Sequence, residues 1–329
     1  MATRYRGLML EGRPNVMSLN AGLVIPRGGA RSVVERIVMA ENRGVPAIWS
    51  TAGGVSADTV SAFAVAASRT ERIVLGTSIV PTYPRHPFVM ASEALAIEDV
   101  APGRLRLGIG PSHRPTIEGS FGIPMGKPLN HLREYVGILR ALLWEGNVDF
   151  SGEYYTVHAA LPEGIEPPKT PLPISALRPN AWRLAGEISD GAISWLNPID
   201  YVVDVAMPAL QEGAQAADRP RPPAIVHVPV AISTDRAAAR AAFRERFPVY
   251  GRLPFYAGMF EMAGYPVEQD GRMPDGLIDD LLVSGTADQV RDRLEAVRRR
   301  GIDELLVSHV PVGDEAPELE ALSALLAAG

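Results

Sequence analysis

Apolar positions along the chain fall into two alternating kinds of run. One kind is short, continuous and rich in β-branched residues: Gly22 to Pro26, Pro46 to Ser50, Ile73 to Val80, Arg104 to Gly110, Leu172 to Leu177, Gly191 to Leu196, Ile225 to Ala231 and Glu304 to His309. These predict eight strands buried on both faces, because a strand with one wet face would alternate apolar with polar. The other kind repeats every three to four residues. Val60, Phe63 and Ala67 share a helical face behind Ser56, a candidate cap. Val290, Leu294 and Val297 follow the capping-box pair Thr286 and Gln289, and that run stops at Gly301. Strands that each lead into a helix predict an α/β fold with a parallel sheet closed into a (β/α)8 TIM barrel. An open doubly wound sheet is the competing arrangement.

A barrel of this kind needs about 250 residues, and the chain has 329. The surplus falls after the fourth and seventh strands, so insertions are expected there. The first interval holds "LPEGIEPPKTPLP", too rich in proline for a helix or sheet interior. No linker divides the chain, and residues 1–329 read as one domain. The first strand has two candidates, "RGLML" and "AGLVI", of which the second fits better.

Composition narrows the chemistry. With 47% hydrophobic residues the chain can fill a core, and no run approaches the ~18 apolar residues of a membrane span. The apolar stretch at the N-terminus is too short for a signal peptide, so a soluble, cytoplasmic protein is expected. The absence of cysteine excludes disulfides, thiolate nucleophiles, iron–sulfur clusters and cysteine zinc sites. A net charge of −6 with no basic run argues against a nucleic-acid surface. Lys127 and Lys169 are the only lysines, the remaining basic residues being arginine, as in a GC-rich coding sequence. A metal-dependent barrel hydrolase would need clustered ligands such as an HxH pair, and the six histidines are scattered.

If the sheet closes, function belongs at the C-terminal strand ends, where the loops converge. "LGTSIVPTYPRHP" carries the third strand onto that face, where Thr82, Tyr83, Arg85 and His86 would line or rim a pocket. In the competing reading Pro81, Pro84 and Pro87 only start the next helix. The fourth strand ends "RLRLGIGPSHRP". Gly108 and Gly110 suggest a dinucleotide fingerprint, but His113 holds the third position and no helix is expected directly after it. The segment reads better as a turn whose amides from Gly110 to His113, with the Ser112 hydroxyl, hold a phosphate. After the fifth strand, the amides of Leu177 and Arg178, the Arg178 guanidinium and a helix opened by Pro179 make a second anion candidate. Singly, each has a plain capping explanation; together, at adjacent strand ends, they point to one phosphate-bearing cofactor.

"LGTSIVPTYPRHP", "GRLRLGIGPSHRPTIEG", "REYVGILRALLWEG", "LAGEISDGAISWLNP", "VYGRLPFYAGMF" and "SGTADQVRDRLEAVRRRGIDELLV" resemble the luciferase-like monooxygenase superfamily. Within it they most resemble the branch of F420-dependent oxidoreductases, over about Ala30 to the C-terminus. The resemblance implies a barrel with a flavin or deazaflavin across its C-terminal mouth. It implies a third-strand bulge with a cis peptide at Ser78–Ile79 backing the ring, and Thr82 on the pocket wall. Gly110, Pro111, Ser112 and His113, with Ala176, Leu177 and Arg178, would hold the cofactor phosphate, and Trp195 would sit by the ring or substrate. Coenzyme F420 is the expected cofactor and FMN the alternative.

The expected chemistry is hydride transfer between the deazaflavin C5 and a small organic substrate. Relatives that oxidise alcohols or sugars place a histidine after the second strand and an acid after the fourth. This chain has "AIWSTAGG" and "GIGPSH" there, which favours reduction of a C=C or C=N bond. His86, His113 and Tyr83 are the candidate proton sources, since a histidine pKa near neutrality suits the task. His113 has phosphate binding as its alternative role. His131, His158, His227 and His309, with Glu98 and Asp99, read as structural. Tyr250 to Phe260 is a candidate aromatic lid. An FMN-dependent monooxygenase with a separate reductase and a non-catalytic flavin-binding protein are the alternatives. The helices after the second and third strands would form a homodimer.

Overall fold

The computed structural model describes residues 20–328, so the segment "RGLML" lies outside the described residues. Strands β1 (Ala21–Val24), β2 (Ala47–Ser50), β3 (Val74–Thr77) and β4 (Val80–Pro81) come first. Strands β5 (Leu105–Arg106), β6 (Ile109–Gly110), β7 (Asn147–Ser151), β8 (Thr156–Ala160) and β9 (Ile174–Ser175) follow. The series ends with β10 (Ala192–Ser194), β11 (Ala224–Ala231), β12 (Val283–Ser284) and β13 (Glu304–His309).

The pairings run in a circuit, all of them parallel. β1 lies between β13 and β2, β2 pairs β3, and β3 pairs β5. The circuit resumes as β4 with β6, then β9, β10, β11 and back to β13. β3 and β4 are two pieces of one run, as are β5 and β6, so all eight expected strands are present and the sheet curls back on itself. This is consistent with the (β/α)8 barrel expected from the sequence.

Two strands expected to be continuous are instead broken side by side. Thr77 Oγ1 and the Val80 amide both donate to the Gly108 carbonyl, at 2.7 and 2.9 Å. Converging on one acceptor, they leave Ser78 and Ile79 unpaired with the neighbouring broken strand, while both keep backbone bonds to Ser50 and Ala52 on the other side, and the peptide bond between them is cis, as the resemblance implied. Gly108 permits the approach, because a Cβ there would fall 1.9 Å from the Thr77 carbonyl oxygen.

Inside the ring, Val24, Trp49, Ile193, Ile225 and Leu306 form one buried cluster, with Ile79 and Trp195 packed against it. The Trp49 ring fills space left by two glycines: a Cβ on Gly22 or Gly76 would come within 2.6 or 2.4 Å of the indole. Its N–H donates to Glu304 at 3.2 Å, and Arg106 bonds the other carboxylate oxygen. Burial raises the Glu304 pKa, opposed by the Arg106 charge. Between ring and helices lie fully buried side chains such as Ile37, Phe63, Met90, Tyr135 and Trp182; a buried side chain of this size contributes about 1.5–3 kcal/mol.

The capping box at Thr286 and Gln289 is formed, and Gly301 follows its helix with φ +96°. The helix Thr59–Ala67 is capped by Asp58 rather than Ser56, because Asp58 directly precedes it and accepts the Ser61 amide at 2.8 Å. After β6 the chain forms the helices Arg114–Gly119 and Pro128–Arg140 and then the antiparallel hairpin of β7 and β8. After β11 come helices and β12, which pairs back onto β11. Among the described residues no helix is long and apolar enough to cross a membrane.

Candidate functional site

At the C-terminal ends of the ring strands lies a cavity of about 1080 Å³. Arg27 reaches it after β1, Thr51 to Gly54 after β2, and Ser78, Ile79 and Pro81 from the broken third strand. Pro111 to His113 follow β6, Ser175 ends β9 and Ala176 to Arg178 follow it, and Trp195 follows β10. Tyr250, Phe255, Tyr256 and Met262 close it from the segment after β11, so the aromatic stretch expected as a lid does face the cavity.

The two anion candidates stand side by side, as their strands β6 and β9 are paired. Gly110 does not line the cavity; it lets β6 approach β9, since a Cβ there would meet Ser175 Oγ at 2.2 Å. Ser112 holds a left-handed φ of +63°, which turns the chain out of the strand. A short helix, Arg114–Gly119, does begin directly after His113, contrary to the sequence expectation. Pro115 in its first turn supplies the preset φ, and its brevity left no periodic pattern to read. The Leu177 carbonyl accepts Asn197 Nδ2 at 3.0 Å and the Tyr201 hydroxyl at 3.3 Å, which fixes the loop ahead of the helix Pro179–Ile188. Among the described residues no hydrogen bond engages the amides of Ser112, His113, Leu177 and Arg178, and Arg178 has no carboxylate partner. Ala176 is buried in the wall, its amide donating to Ile193 at 2.8 Å.

Of the three candidate proton sources, His113 alone lines the cavity. Its ring centre lies 5.7 and 6.5 Å from those of Tyr256 and Tyr250, edge to face, and burial lowers its pKa. Thr82, Tyr83, Arg85 and His86 do not line it, a correction to the sequence expectation. Past Pro81 the chain turns outward to begin the helix Pro87–Val100, as the competing proline reading had it. His86 Nδ1 accepts the Phe88 amide at 3.2 Å and so caps that helix. Arg85 is paired with Asp58 at 2.6 Å and Glu93 at 3.1 Å.

Tyr83 stacks on His131 with ring centres 3.8 Å apart, and burial pushes its pKa up to about 12. Its hydroxyl donates to the carbonyl of Met125, a cavity residue. His131 binds the Tyr155 hydroxyl at 2.7 Å and approaches Thr82 Oγ1 at 3.4 Å, and burial pushes its pKa down to about 4. The wall from Phe121 to Asn130 is thereby held from outside the ring. The Met125 amide donates to Glu118 at 3.1 Å, and the Lys127 amide donates to the Tyr154 hydroxyl at 3.1 Å. Glu134 in turn accepts the amides of Glu153, Tyr154 and Tyr155 at 2.7 to 3.2 Å, tying the hairpin tip to the helix Pro128–Arg140.

Trp195 stacks on His227 with ring centres 3.7 Å apart. His227 binds Ser308 Oγ at 2.8 Å, and burial, reinforced by the Arg246 charge, pushes its pKa down to about 3. It is a neutral structural histidine that fixes the indole. Sequence reasoning missed Arg27, the Thr51 to Gly54 loop and the wall residues. The Gly53–Gly54 pair next to a strand end was the one available signal for the second of these.

The luciferase-like monooxygenase family model matches residues 8–304. The chain belongs to that family. Among relatives in sequence is the F420-dependent glucose-6-phosphate dehydrogenase of Beutenbergia cavernae, 30% identical over 309 residues, covering 88% of this chain and 90% of the relative. The 5,10-methylenetetrahydromethanopterin reductase of Archaeoglobus fulgidus is 28% identical over 301 residues, covering 85% and 89%. A solved F420-dependent secondary alcohol dehydrogenase in complex with an F420–acetone adduct superposes with a TM-score of 0.77 at 17% identity, covering 92% of this chain and 97% of that one. That likeness shows that the two chains share a fold.

Proposed function

We propose that this chain is a coenzyme F420-dependent oxidoreductase that moves a hydride between the deazaflavin C5 and a small organic substrate, with reduction of a C=C or C=N bond favoured. The observation that carries the reading is the mouth itself. A cavity of about 1080 Å³ has the broken third strand on one wall and, on another, amides that are unengaged among the described residues beside Arg178, which has no carboxylate partner among them. A tricyclic ring with a phosphate fits that donor set, and Ser78 Oγ, buried without a hydrogen-bond partner, offers a polar contact beneath it.

When bound, the deazaflavin supplies the carbon that gives or takes the hydride. Ser78 and Ile79 back the ring, Ser112 and His113 with Leu177 and Arg178 hold the phosphate, and Pro111 and Ala176 line the same wall. Trp195, fixed by His227, bounds the substrate side. His113, neutral at pH 7 because of its burial, has one ring nitrogen to donate and one to accept a proton near the substrate. Tyr83 and His86 stand outside the cavity, which favours His113 for that role. The same reading takes the ring as a (β/α)8 barrel with insertions after its fourth and seventh strands. It includes a homodimer through the helices Thr59–Ala67 and Pro87–Val100, on which Val65, Phe88 and Val89 are exposed.

The test is a side-by-side fluorescence titration of the purified chain with oxidised and reduced coenzyme F420 and with FMN. Binding of the deazaflavin alone, followed by turnover of an enone or imine, is the expected result. Preference for FMN would move the reading to an oxygen-using monooxygenase, and binding without turnover to a cofactor carrier.

A further inference from the structure

The circuit of pairings has eight positions when each broken strand is taken as one, and β1 and β9 stand four places apart in either direction. They therefore end on opposite sides of the mouth. Arg178 follows β9 and Lys127 lies in the segment between β6 and β9, both on the side assigned above to phosphate. Arg27 follows β1 and faces them alone. Together these are the full cations of the cavity lining, and among the described residues no carboxylate lines it, although the chain's net charge is −6. A cavity of this polarity concentrates anions.

Arg27 has no carboxylate partner among the described residues; its guanidinium donates to the Gly53 carbonyl. The loop is shaped around it. Gly53 and Gly54 adopt φ +120° and +69°, and a Cβ on Gly54 would come within 2.6 Å of Arg27 Nη1. Tyr250 lines the same space, its phenol kept protonated by burial against the smaller opposing pull of Trp195 and the Arg27 charge. The guanidinium can only donate, the phenol can donate its O–H as well as accept, and one backbone carbonyl uses a fraction of the guanidinium's five N–H groups. A planar carboxylate matches such a pair, because it accepts two parallel bonds from the guanidinium with lone pairs to spare for the phenol. Ile79, Phe121, Phe255 and Met262 supply apolar surface to the same cavity.

We propose that Arg27 and Tyr250 form an anion subsite across the mouth from the phosphate side, and that the substrate is a carboxylic acid with an apolar body. That the acid is a substrate rests on the oxidoreductase reading; that an acid binds there does not.

The test is calorimetric binding of cinnamate and of methyl cinnamate to the wild-type chain and to Arg27→Gln and Tyr250→Phe, with coenzyme F420 titrated into each. Cinnamate should bind the wild type at least ~10-fold tighter than the ester, R27Q should abolish that preference, and Y250F should reduce it by about threefold. Ester and coenzyme affinities should stay unchanged in both variants. Equal binding of acid and ester by the wild type would overturn the proposal, as would no binding of either. A loss of coenzyme affinity in R27Q would overturn it too, by assigning Arg27 to the cofactor. If coenzyme F420 fails to bind while cinnamate still depends on Arg27, the cofactor reading falls and the subsite stands.

Discussion

Toward the N-terminal floor of the ring, Trp49, Glu304 and Arg106 satisfy one another's polar groups, and Gly22 and Gly76 leave room for the indole and nothing more. At the C-terminal mouth, Ser78 Oγ is buried without a partner, the amides of Ser112, His113, Leu177 and Arg178 are unengaged, and Arg27 and Arg178 lack carboxylates among the described residues. The chain completes its floor from its own residues. Its mouth keeps hydrogen-bonding capacity that a ligand can meet, and that contrast separates what folds the protein from what it does.

The contrast can be broken most sharply at Gly108, where the two regions meet. Gly108→Ala should cost about 3 kcal/mol of stability in chemical denaturation, since its Cβ would fall 1.9 Å from a backbone oxygen that cannot move aside. A loss under about 1 kcal/mol would mean that the broken strands carry no tight fit.

Acid comes next. His131 has a folded pKa of about 4, below its unfolded value, so the unfolded chain takes up a proton first as pH falls. The stability it contributes is present above about pH 6.5 and is lost towards pH 4, by up to about 3 kcal/mol. His131→Phe should flatten the pH dependence of unfolding in that window, and an unchanged slope would remove His131 from the wall's support.

On the binding side, Arg178→Ala should weaken the coenzyme by about 1.5–3 kcal/mol, read as a rise in Kd of roughly ten- to a hundredfold. Unchanged affinity would remove its guanidinium from phosphate binding. The smallest effect is expected from Ser78→Ala in the cofactor-free chain, within about 0.5 kcal/mol of wild type, because no hydrogen bond is lost. A larger loss would show that the mouth is as self-satisfied as the floor.

The strands were legible in the sequence because the ring buries both of their faces, and the same burial hid the breaks. Leu107 is as apolar and buried as Leu105 and Ile109, so the run of hydrophobic residues continues straight through the interruption. The hairpin of β7 and β8 was hidden differently: it is half exposed, and the proline-rich segment behind it dominated the reading. At the site, Pro111 to His113 and Ala176 to Arg178 were found because loops that follow paired strands must converge. Tyr83 and His86 were misplaced because proline stiffening looks the same in a pocket wall and in a helix start. Arg27 was missed because a lone arginine after a short strand has no local pattern; its position opposite Arg178 exists only once the ring closes.

The segment from Phe121 to Asn130 is suspended from Tyr83, Glu118 and Tyr154, and the hairpin that carries Tyr154 shares no hydrogen-bonded ladder with the ring. One side of the mouth is thus a hanging panel rather than part of the frame. Because the ring's register is set by its own pairings, a substitution at the hairpin tip reaches the mouth through this panel before it reaches the sheet.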